Sequence, residues 1–212
     1  MKVRFAHPLG AALLLCLLAL SSLSASARTL LIVGDSISAG WGVELEQGWV
    51  SLLQQRLAER EMAAAVVNAS VSGETSSGGL ARLPALLEAH QPDLLMIELG
   101  GNDGLRGTPL ATMQQNLSQM IELGQAAGAD VLLLGMRIPP NYGPRCTQGF
   151  EQVFVDLAAQ YRVPLMPFFL EGVAGDPALM QDDGIHPRAE AQSQLLENAW
   201  PLLADWLDSA GD

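Results

Sequence analysis

The chain has 212 residues, enough for one well-cored domain, and carries 23 acidic against 11 basic side chains for a net charge of −12. A surface this acidic repels nucleic acid and anionic membrane at long range, which excludes nucleic-acid binding. Cys16 and Cys146 are the two cysteines.

The first 27 residues read as a targeting segment. Lys2 and Arg4 precede an apolar run from Leu9 to Leu20, and Ala25-Ser26-Ala27 supplies the small residues of a cleavage site, the pattern of a secretory signal peptide. The run falls short of the ~20 residues of a membrane span, so no stable membrane anchor is expected after cleavage. Loss of Lys2 and Arg4 would take the net charge from −12 to about −14. Cys16 leaves with the segment, so no intramolecular disulfide is expected. Cys146, among Pro139, Pro140, Gly143 and Pro144 with no histidine near it in sequence, reads as a bystander rather than a nucleophile.

Beyond residue 27, apolar runs alternate with stretches of helical period. Residues 30–33 form a first strand, and 49–62, with Trp49, Leu52, Leu53 and Leu57 on one face, a helix. A short strand at 65–68 is followed by a helix over 79–90, closed by Pro92. Residues 94–99 make a third strand and 109–127 the longest helix, with Pro109 suited to its first turn. A strand at 131–136, a helix at 148–161, a strand at 165–168 and a final helix at 187–207, kinked or reset at Pro201, complete the chain. Continuous rather than alternating apolar strands fit burial on both faces, and strands alternating with helices indicate a parallel sheet. The expected fold is one α/β domain over 28–212, a flavodoxin-like three-layer α/β/α sandwich with five parallel strands. Its strand order, 2-1-3-4-5, is taken by analogy.

In such a sheet every strand-to-helix loop lies on one rim. The first strand stops in Gly34-Asp35-Ser36, the second loop contains Gly73, the third is Gly100-Gly101-Asn102-Asp103-Gly104, and Asp182-Asp183-Gly184-Ile185-His186-Pro187 precedes the last helix. A serine hydroxyl needs a base to take its proton, and a neutral imidazole is the usual one. That imidazole needs a carboxylate on its other nitrogen, and Asp183 lies three residues before His186. Charge developing on a carbonyl oxygen needs preorganised donors, which the Ser36 N–H, the Gly73 N–H and the Asn102 amide would supply. Taken singly, each block is also ordinary turn or cap composition. Chemistry is indicated by their coincidence on one edge.

These blocks, in this order, resemble the GDSL/SGNH hydrolase family. Gly104-Leu105-Arg106-Gly107 and Arg137-Ile138-Pro139-Pro140-Asn141-Tyr142-Gly143 are similar to its exported bacterial multifunctional thioesterase/lysophospholipase/arylesterase subgroup. The resemblance implies a nucleophile at Ser36, acid and base at Asp183 and His186, and oxyanion donors at Ser36, Gly73 and Asn102. It also implies hydrolysis of esters and thioesters, a mobile loop over about 103–108 covering the acyl chain, and export to a bacterial periplasm. Ile37 replaces the leucine of the family name, and Ser38 fills the last position of the Gly-x-Ser-x-Gly elbow, which is therefore absent. Candidate substrate contacts are Asp103 and Arg106 together with Leu105, Ile138, Pro139, Tyr142 and Ile185, and the latter five would favour an apolar acyl group at roughly 0.8 kcal/mol per buried methylene. Arg106 and Arg137 could reach a phosphate head group or coenzyme A. The expected partner is a small-molecule acyl ester or thioester, met by a monomer without a cofactor. A metal hydrolase is disfavoured, because two distant histidines after cleavage give no His-x-x-x-His spacing. A carbohydrate deacetylase and a non-catalytic exported binding protein remain as alternatives.

Overall fold

The computed structural model describes residues 27–209, so the expected signal peptide lies almost wholly outside the described residues. Five parallel strands, β1 (Arg28–Gly34), β2 (Ala64–Asn68), β3 (Leu94–Glu98), β4 (Asp130–Leu134) and β5 (Leu165–Met166), pair in the order β2-β1-β3-β4-β5. Register is fixed by matched apolar residues, Leu31 opposite Val67 on one side and Leu95 on the other, and Met96 opposite Leu132. The central strands are buried along almost their whole length, which accounts for their unbroken apolar sequence.

Helices α1 (Trp49–Glu59) and α6 (Gln192–Asp208) pack together, as do α2 (Ser76–His90), α4 (Leu110–Ala126) and α5 (Pro144–Tyr161). With right-handed crossovers these two groups cover opposite faces of the sheet, giving the three-layer sandwich. Leu53 and Leu57 of α1 and Leu195 and Leu203 of α6 are buried on one side. Leu83, Leu117, Ile121 and Phe154 are buried on the other. No described helix is long and apolar enough to cross a membrane.

Three departures from the sequence reading bear on the site. The glycine-rich stretch after β3 forms a short helix, α3 (Gly101–Leu105), where a loop was expected. The last helix begins at Gln192, after a 3₁₀ turn at Ala189–Ala191, rather than at 187. Ahead of it the chain turns back on itself, with Met180 and Pro187 bridged antiparallel and the Gln181 N–H donating to the His186 carbonyl. Finally, α6 runs through Pro201 as a single element.

Candidate active site

Ser36 lies just past the end of β1, in a turn closed by the Ala39 N–H on the Asp35 carbonyl and the Trp41 N–H on the Ser36 carbonyl. The turn is anchored from beneath: the Trp49 indole N–H, at the start of α1, donates to Ser38 Oγ (3.2 Å), and Asn68 at the end of β2 donates to the Ser38 carbonyl (2.7 Å). Ser36 is only 8% exposed. Its Oγ lies 2.8 Å from Nε2 of His186, 150 residues away in sequence.

His186 is aimed by its own loop. Asp183 Oδ1 accepts the Ile185 and His186 N–H groups (2.9 and 3.0 Å), closing a tight turn, while Oδ2 lies 2.6 Å from His186 Nδ1. Gln181 fastens this loop to the first one by donating to the Trp41 carbonyl (2.8 Å). Burial lifts the Asp183 carboxyl, but the bond from the His186 ring and then those from the two N–H groups outweigh it and hold the acid at about 2. Asp183 is therefore a permanent acceptor that fixes the proton on Nδ1 and leaves Nε2 with a lone pair toward Ser36.

Of the three expected donors, Ser36 and Asn102 line one cavity beside the serine, and Gly73 does not. Neither the Ser36 nor the Gly73 N–H has a hydrogen-bond partner among the described residues. Gly73 adopts φ +78°, a conformation that favours glycine, and Arg106 holds its peptide by donating to its carbonyl (2.8 Å). Asn102, in α3, gives one amide hydrogen to Asp35 Oδ2 (2.9 Å), which leaves the second free.

A cavity of about 460 Å³ opens beside the serine, lined mainly by apolar side chains. Leu105, Ile138, Pro139 and Ile185 line it as expected. Asp103, Arg106 and Tyr142 do not. Asp103 is 1% exposed and accepts the Ser76 N–H (2.8 Å) and Ser76 hydroxyl (2.6 Å), tying α3 to the first turn of α2. Successive residues on a helix point about 100° apart, so Asn102 and Asp103 cannot both face the cavity. Arg106 is engaged with Gly73, and the exposed Tyr142 donates to the Leu105 carbonyl (3.2 Å). Arg137 lines the cavity, but its guanidinium bridges Glu151 and Glu171 and stacks over Phe168. Cys146 is a free, exposed thiol.

Sequence reasoning missed the far wall, Met136, Phe168, Leu170 and Met180, and two acids beneath the serine turn, Asp35 and Glu98. Glu98 is fully buried, and its Oε2 accepts the Ser38 hydroxyl (2.7 Å) and the Ser38 and Asp35 N–H groups (3.3 and 3.2 Å). Burial, then the neighbouring Asp35 charge, push this acid well above the usual carboxylate range. Burial likewise pushes Asp35 up to about 6, against the opposing pull of the Ile37 N–H, the Asn102 amide and the Glu98 side chain. A lone glutamate closing the apolar run Leu94-Leu95-Met96-Ile97 was the available signal.

Serine, imidazole and carboxylate are thus in contact at the edge of the sheet, with Asn102 on the same cavity. Residues 32–193 match the model of the GDSL-like lipase/acylhydrolase family. The chain belongs to that family. It is 58% identical over 186 residues to Esterase TesA of Pseudomonas aeruginosa, covering 88% of this chain and 92% of that protein. To Thioesterase 1/protease 1/lysophospholipase L1 of Escherichia coli K12 it is 46% identical over 193 residues, 91% of this chain and 88% of that one. A crystal structure of TesA matches at 59% identity with a TM-score of 0.82, over 83% of this chain and 98% of that chain. Within this GDSL-like family the chain has Ile37 after the serine, where the family name implies leucine.

Proposed function

We propose that this protein is a serine hydrolase that cleaves carboxylic esters and thioesters through an acyl-enzyme on Ser36. The observation that carries this is the unbroken chain from Asp183 Oδ2 to His186 Nδ1 (2.6 Å) and from His186 Nε2 to Ser36 Oγ (2.8 Å), at the mouth of an apolar cavity. As Ser36 Oγ adds to the substrate carbonyl carbon, its proton passes to Nε2, and Asp183 stabilises the imidazolium that forms. The carbonyl oxygen, now negative, is met by the Ser36 and Gly73 N–H groups and the free Asn102 amide hydrogen. The tetrahedral adduct collapses with departure of the alcohol or thiol, which takes the proton from Nε2. Water then repeats the sequence on the acyl-enzyme and releases the acid.

The apolar lining supports an acyl chain rather than acetyl as the group held, since each buried methylene contributes roughly 0.8 kcal/mol. Aryl esters, lysophospholipids and acyl-CoA-type thioesters all present such a group. Removal of residues 1–27 on export to a bacterial periplasm, with 28–212 acting as a monomeric domain, would favour lysophospholipids and other esters over acyl-CoA. A panel of p-nitrophenyl esters of increasing chain length, lysophospholipids and acyl-CoAs, run on the parent and on Ser36→Ala, tests the reading. Turnover of medium-chain esters by the parent and its abolition in a folded Ser36→Ala are expected. Surviving esterase activity in Ser36→Ala would remove the nucleophile, and a preference for acetyl esters would favour the deacetylase alternative.

A further inference from the structure

Glu98 and Gly34 are paired across β3 and β1, which brings the Glu98 carboxyl directly under the turn bearing Ser36. A Cβ on Gly34 would fall 2.7 Å from Glu98 Oε2, so the glycine before Asp35 makes room for this acid. Asp35 (2% exposed) and Glu98 (0%) are shut off from water together. Three of their four carboxyl oxygens accept a hydrogen bond: Asp35 Oδ1 from the Ile37 N–H (3.0 Å), Asp35 Oδ2 from Asn102 (2.9 Å), and Glu98 Oε2 from Ser38 and Asp35. The fourth, Glu98 Oε1, is buried without a donor among the described residues. Two adjoining acids out of reach of water do not both ionise, and the proton they keep belongs on the oxygen to which nothing donates.

We propose that Glu98 is a positioning residue of the oxyanion pocket: a carboxylic acid held neutral, donating its Oε1 proton to the Asp35 carboxylate, which in turn fixes the Asn102 amide. Burial lifts both acids, which agrees with the pair keeping one proton. The consequence for Asn102 is directional. A deprotonated Asp35 can only accept, so it selects the amide orientation with Nδ2 facing it and leaves the second N–H to stabilise the oxyanion. Were the proton on Asp35 instead, its hydroxyl could donate to Asn102 Oδ1 and the amide could turn over, presenting an acceptor where a donor is needed. Glu98 thus acts through Asp35 and Asn102 without touching the substrate. This inference rests on the reading of Asn102 as an oxyanion donor.

The test compares Glu98→Gln, Glu98→Leu, Asn102→Ala and the Leu/Ala double variant with the parent on a p-nitrophenyl ester. Loss of a whole oxyanion donor costs on the order of 10²–10³ in kcat, so its misplacement in Glu98→Leu should cost about 10–100-fold in kcat with KM little changed. Glu98→Gln, whose amide can still donate to Asp35, should stay within about threefold of the parent. In the Asn102→Ala background, Glu98→Leu should cost little more. A Glu98→Gln as impaired as Glu98→Leu, full activity in Glu98→Leu, or an undiminished leucine penalty in the Asn102→Ala background would each overturn the proposal.

Should Glu98→Leu fail to fold, carbon-13 NMR of the glutamate carboxyl groups decides the matter in the parent. The Glu98 signal, identified by its loss in Glu98→Gln, should hold the protonated-acid position from about pH 5 to 8. An ionised position at neutral pH overturns the proposal and leaves the hydrolase reading standing. An unchanged kcat in Asn102→Ala strikes that reading itself.

Discussion

Two sets of acids flank the same hydroxyl and meet opposite environments. Asp183, on the solvent side of His186, is wrapped by N–H donors and held at about 2. Asp35 and Glu98, on the core side of Ser36, are sealed under the turn and driven upward, Asp35 to about 6 and Glu98 well above the usual carboxylate range. The residue types are alike and the Ser36–His186 pair lies between them. Donors and water on one side make an anion that fixes a tautomer, whereas burial on the other outweighs the donors there and makes an acid that keeps its proton and can donate it. Environment, more than residue identity, assigns the role.

The sharpest way to break this comparison is to apply one chemical change to both sides. Asp183→Asn replaces an obligate acceptor with an amide that can present a donor to His186 Nδ1, and kcat should fall on the order of 10⁴-fold. Glu98→Gln replaces a donor with a donor and should leave most of the rate. Equal losses in steady-state assays would erase the distinction. Next in size, Asn102→Ala should lower kcat by on the order of 10²–10³. An unaffected rate would make Asn102 a structural residue of α3. Smaller again, Ile138→Ala should reduce kcat/KM for octanoyl relative to acetyl esters by about tenfold, because truncating one wall removes contact with the chain but not with the carbonyl. A uniform loss across chain lengths would place Ile138 in the loop packing instead.

The pH dependence of stability gives the last contrast, and its sign differs between the two sides. Asp35 and Glu98 are raised in the folded state, so their contribution is fully present below the unfolded carboxylate range near 4 and is lost as pH rises through the folded values, for Asp35 about 6. Glu98→Gln removes the need to keep a proton on folding, and its Tm should gain on the parent as pH rises from about 4 to 8. Asp183 is depressed, so its contribution is present above the unfolded range and lost as pH falls from 3.8 toward about 2. Asp183→Asn should therefore lose Tm at neutral pH, with the deficit closing in acid. Parallel Tm-versus-pH curves for both variants would contradict the assignment.

Much of this architecture is legible in the chain because parallel sheets collect their loops on one rim. Once the strands at 30–33, 65–68 and 94–99 are recognised, Ser36, Gly73 and Asn102 must share an edge, and the histidine loop has to join them. What escaped depends on direction rather than order. Asp103 follows Asn102 in sequence, but a helical turn sends its carboxylate to Ser76. Glu98 and Asp35 stand 63 residues apart, and only the β1–β3 register, which sets Gly34 beside Glu98, brings them together. The far wall of the cavity comes partly from a segment of turns around Leu170 and Ala174 with no apolar period to announce it. In sequence Arg106 is a cation that could reach a head group, and in the fold it donates to the Gly73 carbonyl.

The central claim is that His186 and Asp183 make the Ser36 hydroxyl a nucleophile. Intact-mass analysis after exposure to a fluorophosphonate probe tests it most directly. One probe per chain on the parent, mapped to Ser36, and none on Ser36→Ala is the result expected. An unlabelled parent, or equal labelling of Ser36→Ala, would contradict it.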